Sequence, residues 1–413
     1  MIATIAGTRV LLLGIALLMM GNGLQASLLG VRASLEGFST AATGLVMSAY
    51  YVGFLLGSTL APRVLRRVGH VRVFAAFASL ASAAALIHVV FVDPAAWAAM
   101  RLVTGFCFAG LYVVAESWLN DRATNETRGR LLSIYVAVIL GGMASGQLML
   151  NAADPGGFEL FILVSVLVSV AVIPMLLTAT PTPSFDAPSH VGLRQLYAIS
   201  PLGLVGSLGI GMAHGVLIGM GAVYAEKAGL SVAQISLFMG LVFVGGAALQ
   251  WPIGRISDVF DRRRVIMLVT FLAAAVALAA VVVADVSRPG LLVIMCLFGG
   301  LSLPMYALCI AHTNDFLEPG QMVAASASLV LVQGVGATVG PLAAGAMMSF
   351  AGPSAFFWCL AVVHAAIGAF ALYRMSVRVA LPLEEQGPYA PVAPTTSPVA
   401  ASLAPKAVRD QIG

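Results

Sequence analysis

Two charged residues lie inside one apolar run, and chemistry is to be sought there first. Residues 101–121, RLVTGFCFAGLYVVAESWLND, carry Arg101 near one end and Glu116 near the other. At ~100° per residue, Gly105, Phe108, Tyr112 and Glu116 fall within roughly 60° of Arg101 on a helical wheel, and the two charges stand ~22 Å apart along the axis. An ionised group inside a bilayer is costly unless it is paired or hydrated. Arg101 therefore reads either as a functional cation or as a side chain reaching back to the surface. Glu116 is the only carboxylate well inside an apolar run. It reads either as a proton carrier or as a gate ion pair with Arg63, Arg66 or Arg130.

A second polar set is distributed over other apolar runs. Asn22 and His214 occupy matching contexts, Met20-Gly21-Asn22-Gly23 and Met212-Ala213-His214-Gly215. A neutral imidazole donates and accepts and titrates near neutral pH, so His214 is a proton-pathway candidate. The competing reading is a histidine bonded to a backbone carbonyl. Gln25 lies one turn from Asn22. Gln147 and Gln333 offer amides to a solute, or glue between helices. Tyr50, Tyr51 and Tyr112 could wall a site or simply pack. His88 and His364 read as structural.

The elements that carry these residues follow from composition. The chain has 413 residues, of which 60% are hydrophobic and 9% charged. Soluble domains carry ~25% charge, so lipid is the expected solvent for most of this chain. A net charge of +4 with no basic patch gives no sign of nucleic-acid binding. The four cysteines lie singly in apolar runs, without metal or disulfide spacing. No metal site and no cofactor are expected.

Twelve apolar runs are long enough to cross a bilayer as helices, at about 8–30, 41–62, 71–92, 95–119, 131–151, 158–178, 198–224, 232–253, 264–284, 289–312, 323–349 and 354–376. The first resembles an internal one, since Gly14, Met20 and Gly23 match Gly206, Met212 and Gly215, so it is read as a span and not a cleaved signal. With the N-terminus in the cytoplasm, seventeen of the Arg and Lys residues fall inside and three outside, Arg101 aside. Both termini are expected in the cytoplasm of a bacterial cell, with the chain in the inner membrane.

The chain also repeats itself. Gly105, Tyr112, Asn120 and Asp121 recur 194 positions on as Gly299, Tyr306, Asn314 and Asp315. Gly37-Phe38-Ser39 recurs as Gly229-Leu230-Ser231, and Gly142 and Gly146 recur as Gly336 and Gly340. Arg101 and Glu116 do not recur: Met295 and Ile310 stand in their places. An even number of helices per repeat makes the halves parallel, six plus six. The expected units are residues 1–178, a first six-helix bundle; 179–197, a Pro- and Ser-rich cytoplasmic linker; 198–378, a second bundle; and 379–413, a disordered tail.

Between the eighth and ninth runs stands GRISDVFDRRR, residues 254–264. Gly254, Asp258, Arg262 and Arg263 resemble the glycine–aspartate–arginine loop of the major facilitator superfamily, with Asp261 where a second glycine is usual. The equivalent first-half loop from Gly57 keeps the glycine and arginines, including Arg63, but has Ala61-Pro62 in place of the aspartate. Arg101-Leu-Val-Thr-Gly105 resembles the family's fourth-helix motif. GVGATVGPLAAG, residues 334–345, resembles the antiporter glycine–proline motif, though in the eleventh run, where the fifth has Gly146-Gln147. The ESWLN run and general pattern are similar to a YcaD-like bacterial branch.

The resemblance, over residues 8–378, implies an all-α fold of twelve transmembrane helices in two pseudo-twofold bundles. It implies that Gly57, Arg63, Gly254, Asp258, Arg262 and Arg263 support switching between inward- and outward-open states. The expected function is secondary transport of a small organic solute by alternating access, as proton-coupled efflux by a monomer, with Asn22, Gln25, Arg101, Tyr112, Glu116, Gln147, His214 and Gln333 along the solute and proton path. The alternatives are an importer or facilitator of the same fold without proton coupling, and a non-transporting sensor or assembly protein. No HExxH, GxSxG or phosphate loop is present, so an enzyme is not expected.

Overall fold

The computed structural model describes residues 2–124, 127–176 and 191–393. Among them no strand occurs. Helices run α1 Ile2–Leu35, α2 Thr40–Val68, α3 His70–Val90, α4 Pro94–Arg122, α5 Arg128–Leu148, α6 Glu159–Val170, α7 Val172–Leu176, α8 Leu193–Ile199, α9 Pro201–Lys227, α10 Val232–Val259, α11 Arg262–Val286, α12 Arg288–Ser302, α13 Met305–Asn314, α14 Pro319–Ala351 and α15 Ala355–Val377. Among the described residues each of the twelve predicted runs is helical over most of its length. Eleven helical segments are long and apolar enough to span a bilayer, and the sixth run, Glu159–Pro174, is shorter. The tenth run is broken after Ser302, because Pro304 has no N–H to continue the ladder.

The repeat is visible in the turns. Gly37 and Gly229 both adopt a left-handed φ, 75° and 72°, that a side chain would oppose. Two residues on, Ser39 and Ser231 cap α2 and α10 by accepting from the amides of Ala42 and Gln234. The same sequence triplet thus makes the same turn in each half.

It is visible again in the packing. In the first half α1 lies on α5 and α2 on α4; in the second, α9 lies on α14 and α10 on α12. Each contact is a glycine against a backbone. A Cβ on Gly23 would meet the Met143 carbonyl, and one on Gly215 the Ala337 carbonyl. Gly146 faces the backbone of Met20 as Gly340 faces that of Met212, and Gly105 faces Tyr50 as Gly299 faces Val242. Small residues let helices approach to where dispersion between backbones is effective, which is the main attraction left when lipid is as apolar as the side chains.

The halves meet through α1 with α9, α2 with α14 and α5 with α10. These contacts are close at the arginine-poor end. Thr40 Oγ1 lies 2.8 Å from Ser349 Oγ, and Asn151 Nδ2 donates to Ser236 Oγ at 2.8 Å. Gly44 and Gly345 press α2 and α14 backbone to backbone. At the arginine-rich end α5 and α10 part around a cleft of about 330 Å³.

Two expected boundaries change. Residues 177–190 of the expected linker lie outside the described residues. Of its remainder, Leu193–Ile199 is a separate helix, and the seventh span starts at Pro201, because Ser200 caps it and Pro201 suits its first turn. The tail expected to be disordered from 379 is ordered as far as 393, with Val392 and Ala393 at 5% and 0% exposure. Its order comes from contacts with distant helices, which sequence periodicity does not register. Residues 394–413 lie outside the described residues.

The glycine contacts give a direct test. Gly105→Leu should destabilise the protein by ~1–3 kcal/mol through overpacking of α4 on α2, seen as earlier thermal unfolding in detergent. Gly141→Ala, with no atom within 4 Å of its added Cβ and a gain in helix propensity, should not lower the transition.

Candidate functional site

The N-terminal half gathers polar side chains around Arg101. This residue is 4% exposed, and its Nε and Nη1 have no hydrogen-bond partner. None of the ion pairs found among the described residues includes it. Its guanidinium carbon stands 4.3 Å over the ring of Tyr50. Tyr51 meets Tyr50 edge-on with ring centres 5.4 Å apart. Asn22 lies beside Tyr50, and Gln25, at 1% exposure, holds an unpartnered Nε2. The snorkelling alternative is set aside by this geometry, since the guanidinium turns onto α2. A cation–π contact contributes ~0.5–2 kcal/mol, whereas each unsatisfied buried donor costs ~1–3 kcal/mol. The Tyr50 contact therefore does not satisfy Arg101, and an acceptor with two oxygens would.

Glu116 stands further along α4, fully buried, and its Oε1 accepts from the Tyr135 hydroxyl at 2.9 Å. Tyr306, on α13 of the other half, is close enough to feel its charge, and the Tyr306 hydroxyl has no hydrogen-bond partner. Tyr112 donates to Met19 Sδ at 3.1 Å. The face shared by Arg101 and Glu116 thus carries two environments, one aromatic and donor-rich, the other a carboxyl among tyrosines.

Gln147 is otherwise employed. Its Nε2 donates to the Gly23 carbonyl at 2.9 Å, while its Oε1 accepts from Ser27. Both ends of the amide tie α5 to α1. Gln333 is buried in α14, where its backbone receives Gly211 of α9. His214 donates from Nε2 to the Ser302 carbonyl at 3.1 Å, at the break between α12 and α13, and its Nδ1 has no partner. Ser302 Oγ lies 3.0 Å from His364 Nε2, and His364 Nδ1 lies 2.8 Å from the Leu360 carbonyl. The carbonyl-bound alternative for His214 is thus the geometry found, and it brings in His364 as a neighbour across one serine.

The loop motif is a dense charged cluster. Arg262, 1% exposed, donates to Asp315 at 2.5 Å, to Asp258 at 3.2 Å and to the Gly387 carbonyl at 2.8 Å. Asp258 also accepts from the Tyr389 amide at 2.7 Å. Asp261, not Asp258, caps α11, and it pairs with Arg263 at 2.9 Å. Burial pushes the Asp261 carboxyl up, but the Arg263 hydrogen bonds and the charges of Arg263 and Arg264 outweigh this and hold it below the usual carboxylate value. Its stabilising contribution is therefore complete above the ordinary carboxylate pKa and is lost as pH falls below it.

The first-half loop has no such cluster. At the repeat shift of 192, Gly254 falls on Pro62, Asp258 on Arg66 and Arg262 on His70. Gly57, expected in the loop motif, packs instead on the Phe106 backbone and Ala109 of α4, one turn after Gly53 does the same at Leu102. Arg63 is exposed at the end of α2. Asp315 and Tyr389 are the residues sequence reasoning passed over. Asp315 was within reach through its recurrence with Asp121; Tyr389 carries no local signal.

Two six-helix halves with one shared glycine pattern, meeting along α1, α2 and α5 on one side and α9, α10 and α14 on the other, define a multi-pass membrane protein of the six-plus-six transporter class. The family model described as Major Facilitator Superfamily matches residues 11–231 and 201–409. The chain belongs to the major facilitator superfamily. It is 30% identical over 336 residues to the MFS-type transporter YcaD of Escherichia coli O6:K15:H31 (strain 536 / UPEC), covering 80% of this chain and 86% of that one. Among solved structures it is similar to the nucleoside transporter NupG, with TM-score 0.72, 12% identity and coverage of 90% of this chain and 98% of that one. A bacterial homologue of the human lysosomal transporter Spinster, inward-facing and occupied, gives TM-score 0.69 at 16% identity, with 88% and 94% covered.

Removing the cation from between two carboxylates should be costly. Arg262→Ala should lose ~3–5 kcal/mol, because Asp315 and Asp258 are then left without their shared guanidinium. Asp315→Asn, which keeps a neutral acceptor, should lose less, and thermal unfolding in detergent compares the two.

Proposed function

We propose that this chain is a secondary transporter that exports a small, amphiphilic and weakly anionic organic solute across the bacterial inner membrane, coupled to protons, by rocking of its two bundles. The observation that carries the reading is Arg101, a buried guanidinium with two unsatisfied donors over the Tyr50 ring. A carboxylate or similar anion is the acceptor that fits two N–H groups, and an apolar or aromatic body fits the tyrosine wall. Gln25 Nε2 adds a neutral donor in the same half. The coupling role falls to Glu116. Protonation would give one of its oxygens a proton to donate where the carboxylate only accepts, as it does from the Tyr135 hydroxyl. A carboxyl placed where the two halves face each other can link its proton to their relative motion. The excess of Arg and Lys at one end supports placing that end, with the cleft between α5 and α10, on the cytoplasmic side.

In proteoliposomes, Arg101→Gln should abolish competition by organic anions for a fluorescent solute while leaving the protein folded. Undiminished competition would remove the anionic assignment. Glu116→Gln should abolish flux driven by a pH gradient and keep counterflow exchange. Wild-type flux indifferent to the gradient would instead favour a facilitator of the same fold.

A further inference from the structure

The segment that leaves α15 is bound to the second half at every step. Arg378 stacks its guanidinium 4.2 Å over Phe316 and donates to the Ile199 carbonyl at 2.9 Å. The carbonyl of Arg378 accepts from Arg263 at 2.7 Å. The Gly387 amide donates to Asp315 at 2.9 Å, and the Gly387 carbonyl accepts from Arg262 at 2.8 Å. Tyr389 then turns into a slot on α10. Its amide donates to Asp258, its hydroxyl accepts from Gln250 Nε2 at 2.8 Å, and its ring lies where a Cβ on Gly254 would stand. The motif glycine is therefore a seat for this ring. Burial raises the Tyr389 phenol well above its ordinary value, so the hydroxyl stays neutral and hydrogen-bonded.

The place of that seat gives it meaning. α5 and α10 are pinned at the arginine-poor end, where Ser236 Oγ donates to the Gln147 carbonyl at 2.8 Å. Toward the arginine-rich end a cleft lies between them, lined by Val136 and Leu140 of α5, Trp251 and Gly254 of α10, and Tyr389 and Pro391 of the terminal segment. The segment is anchored on the second half and presents Tyr389 and Pro391 to the first. For the bundles to close at this end, this cleft must narrow. The first half has no counterpart, since Pro62 and Arg66 stand where Gly254 and Asp258 would be.

We propose that residues 378–393 form a conformational latch: Tyr389, seated on α10 at the wall of the cleft that faces α5, keeps the arginine-rich end open and must leave its slot before the bundles can close there. The latch rests on the alternating-access reading above. It explains why the loop cluster binds chain termini as well as carboxylates: the arginines that hold the helix ends together also hold the latch. The charged cluster fixes the anchor, and the tyrosine, tied by one side-chain hydrogen bond and one amide, is the part able to move.

The test uses the full chain with its native cysteines replaced and nitroxides at Arg67 and Arg264, in separate halves at the arginine-rich end, read by pulsed electron resonance distances in nanodiscs. Wild type should show a dominant long distance and a minor short one. Tyr389→Ala should raise the short-to-long ratio roughly tenfold, the scale of losing one hydrogen bond with the packing of its ring. Gly254→Leu, which fills the slot from the α10 side and displaces the ring, should do the same, and it decides the matter if Tyr389→Ala does not fold. A short population present in wild type and unchanged in the folded variant overturns the latch and leaves alternating access standing. No short population in wild type or variants overturns both.

Discussion

Close approach of glycine to a neighbouring helix backbone is the interaction on which the rest of this structure depends. In lipid, an apolar side chain gains nothing by facing another helix rather than an acyl chain, so burial does not choose partners. Shape does. Gly105 against Tyr50 and Gly53 against Leu102 weld α2 to α4, and Gly299 and Gly245 weld α12 to α10 in the same way. Gly23 and Gly146 join α1 to α5 as Gly215 and Gly340 join α9 to α14. These contacts make each half a rigid unit, and rigid units are what a rocking mechanism requires.

Because packing is shared between the halves, polarity is free to differ. The first half keeps Arg101 with unsatisfied donors and Glu116 under Tyr135. The second replaces them with Met295 and Ile310 and spends its polar groups on the His214–Ser302–His364 chain and on the Arg262 cluster. An under-satisfied buried cation persists only where something else compensates it. One paired with carboxylates, such as Arg262 between Asp258 and Asp315, holds helix ends together. The two arginines are equally buried in kind and opposite in consequence, and the difference is whether carboxylates are near.

Much of this was legible in the chain itself. Twelve apolar runs, the shift of about 192–194, the Gly-x-Ser turns and the polar stripe of α4 all follow from short-range pattern, and all are found. Gln147 shows the limit. Its type and depth suited a solute path equally well, but its amide is consumed by Gly23 and Ser27, partners 120 or more positions away. Gly57 shows another, since a glycine near a loop motif and a glycine in a packing face read alike until the facing helix is known. The terminal segment was the largest surprise, because a Pro- and Ala-rich stretch without periodicity offers no clue that a tyrosine in it has a seat on α10.

The sequence by itself determined the apolar spans, their pairing into two similar halves and the charge asymmetry between those halves. Each depends on local hydrophobicity, on turn chemistry or on comparison of the chain with itself. Only the tertiary structure decided which buried polar groups are satisfied. Arg101 and Arg262 are both buried arginines, and although Asp258 stands one turn before Arg262, nothing in their immediate neighbours says that one meets a tyrosine face and the other also meets Asp315. That outcome is set by residues from other helices and from the far end of the chain, brought together by packing. Satisfaction is a property of three-dimensional neighbours, and it separates a group that holds the fold from one left with unmet donors.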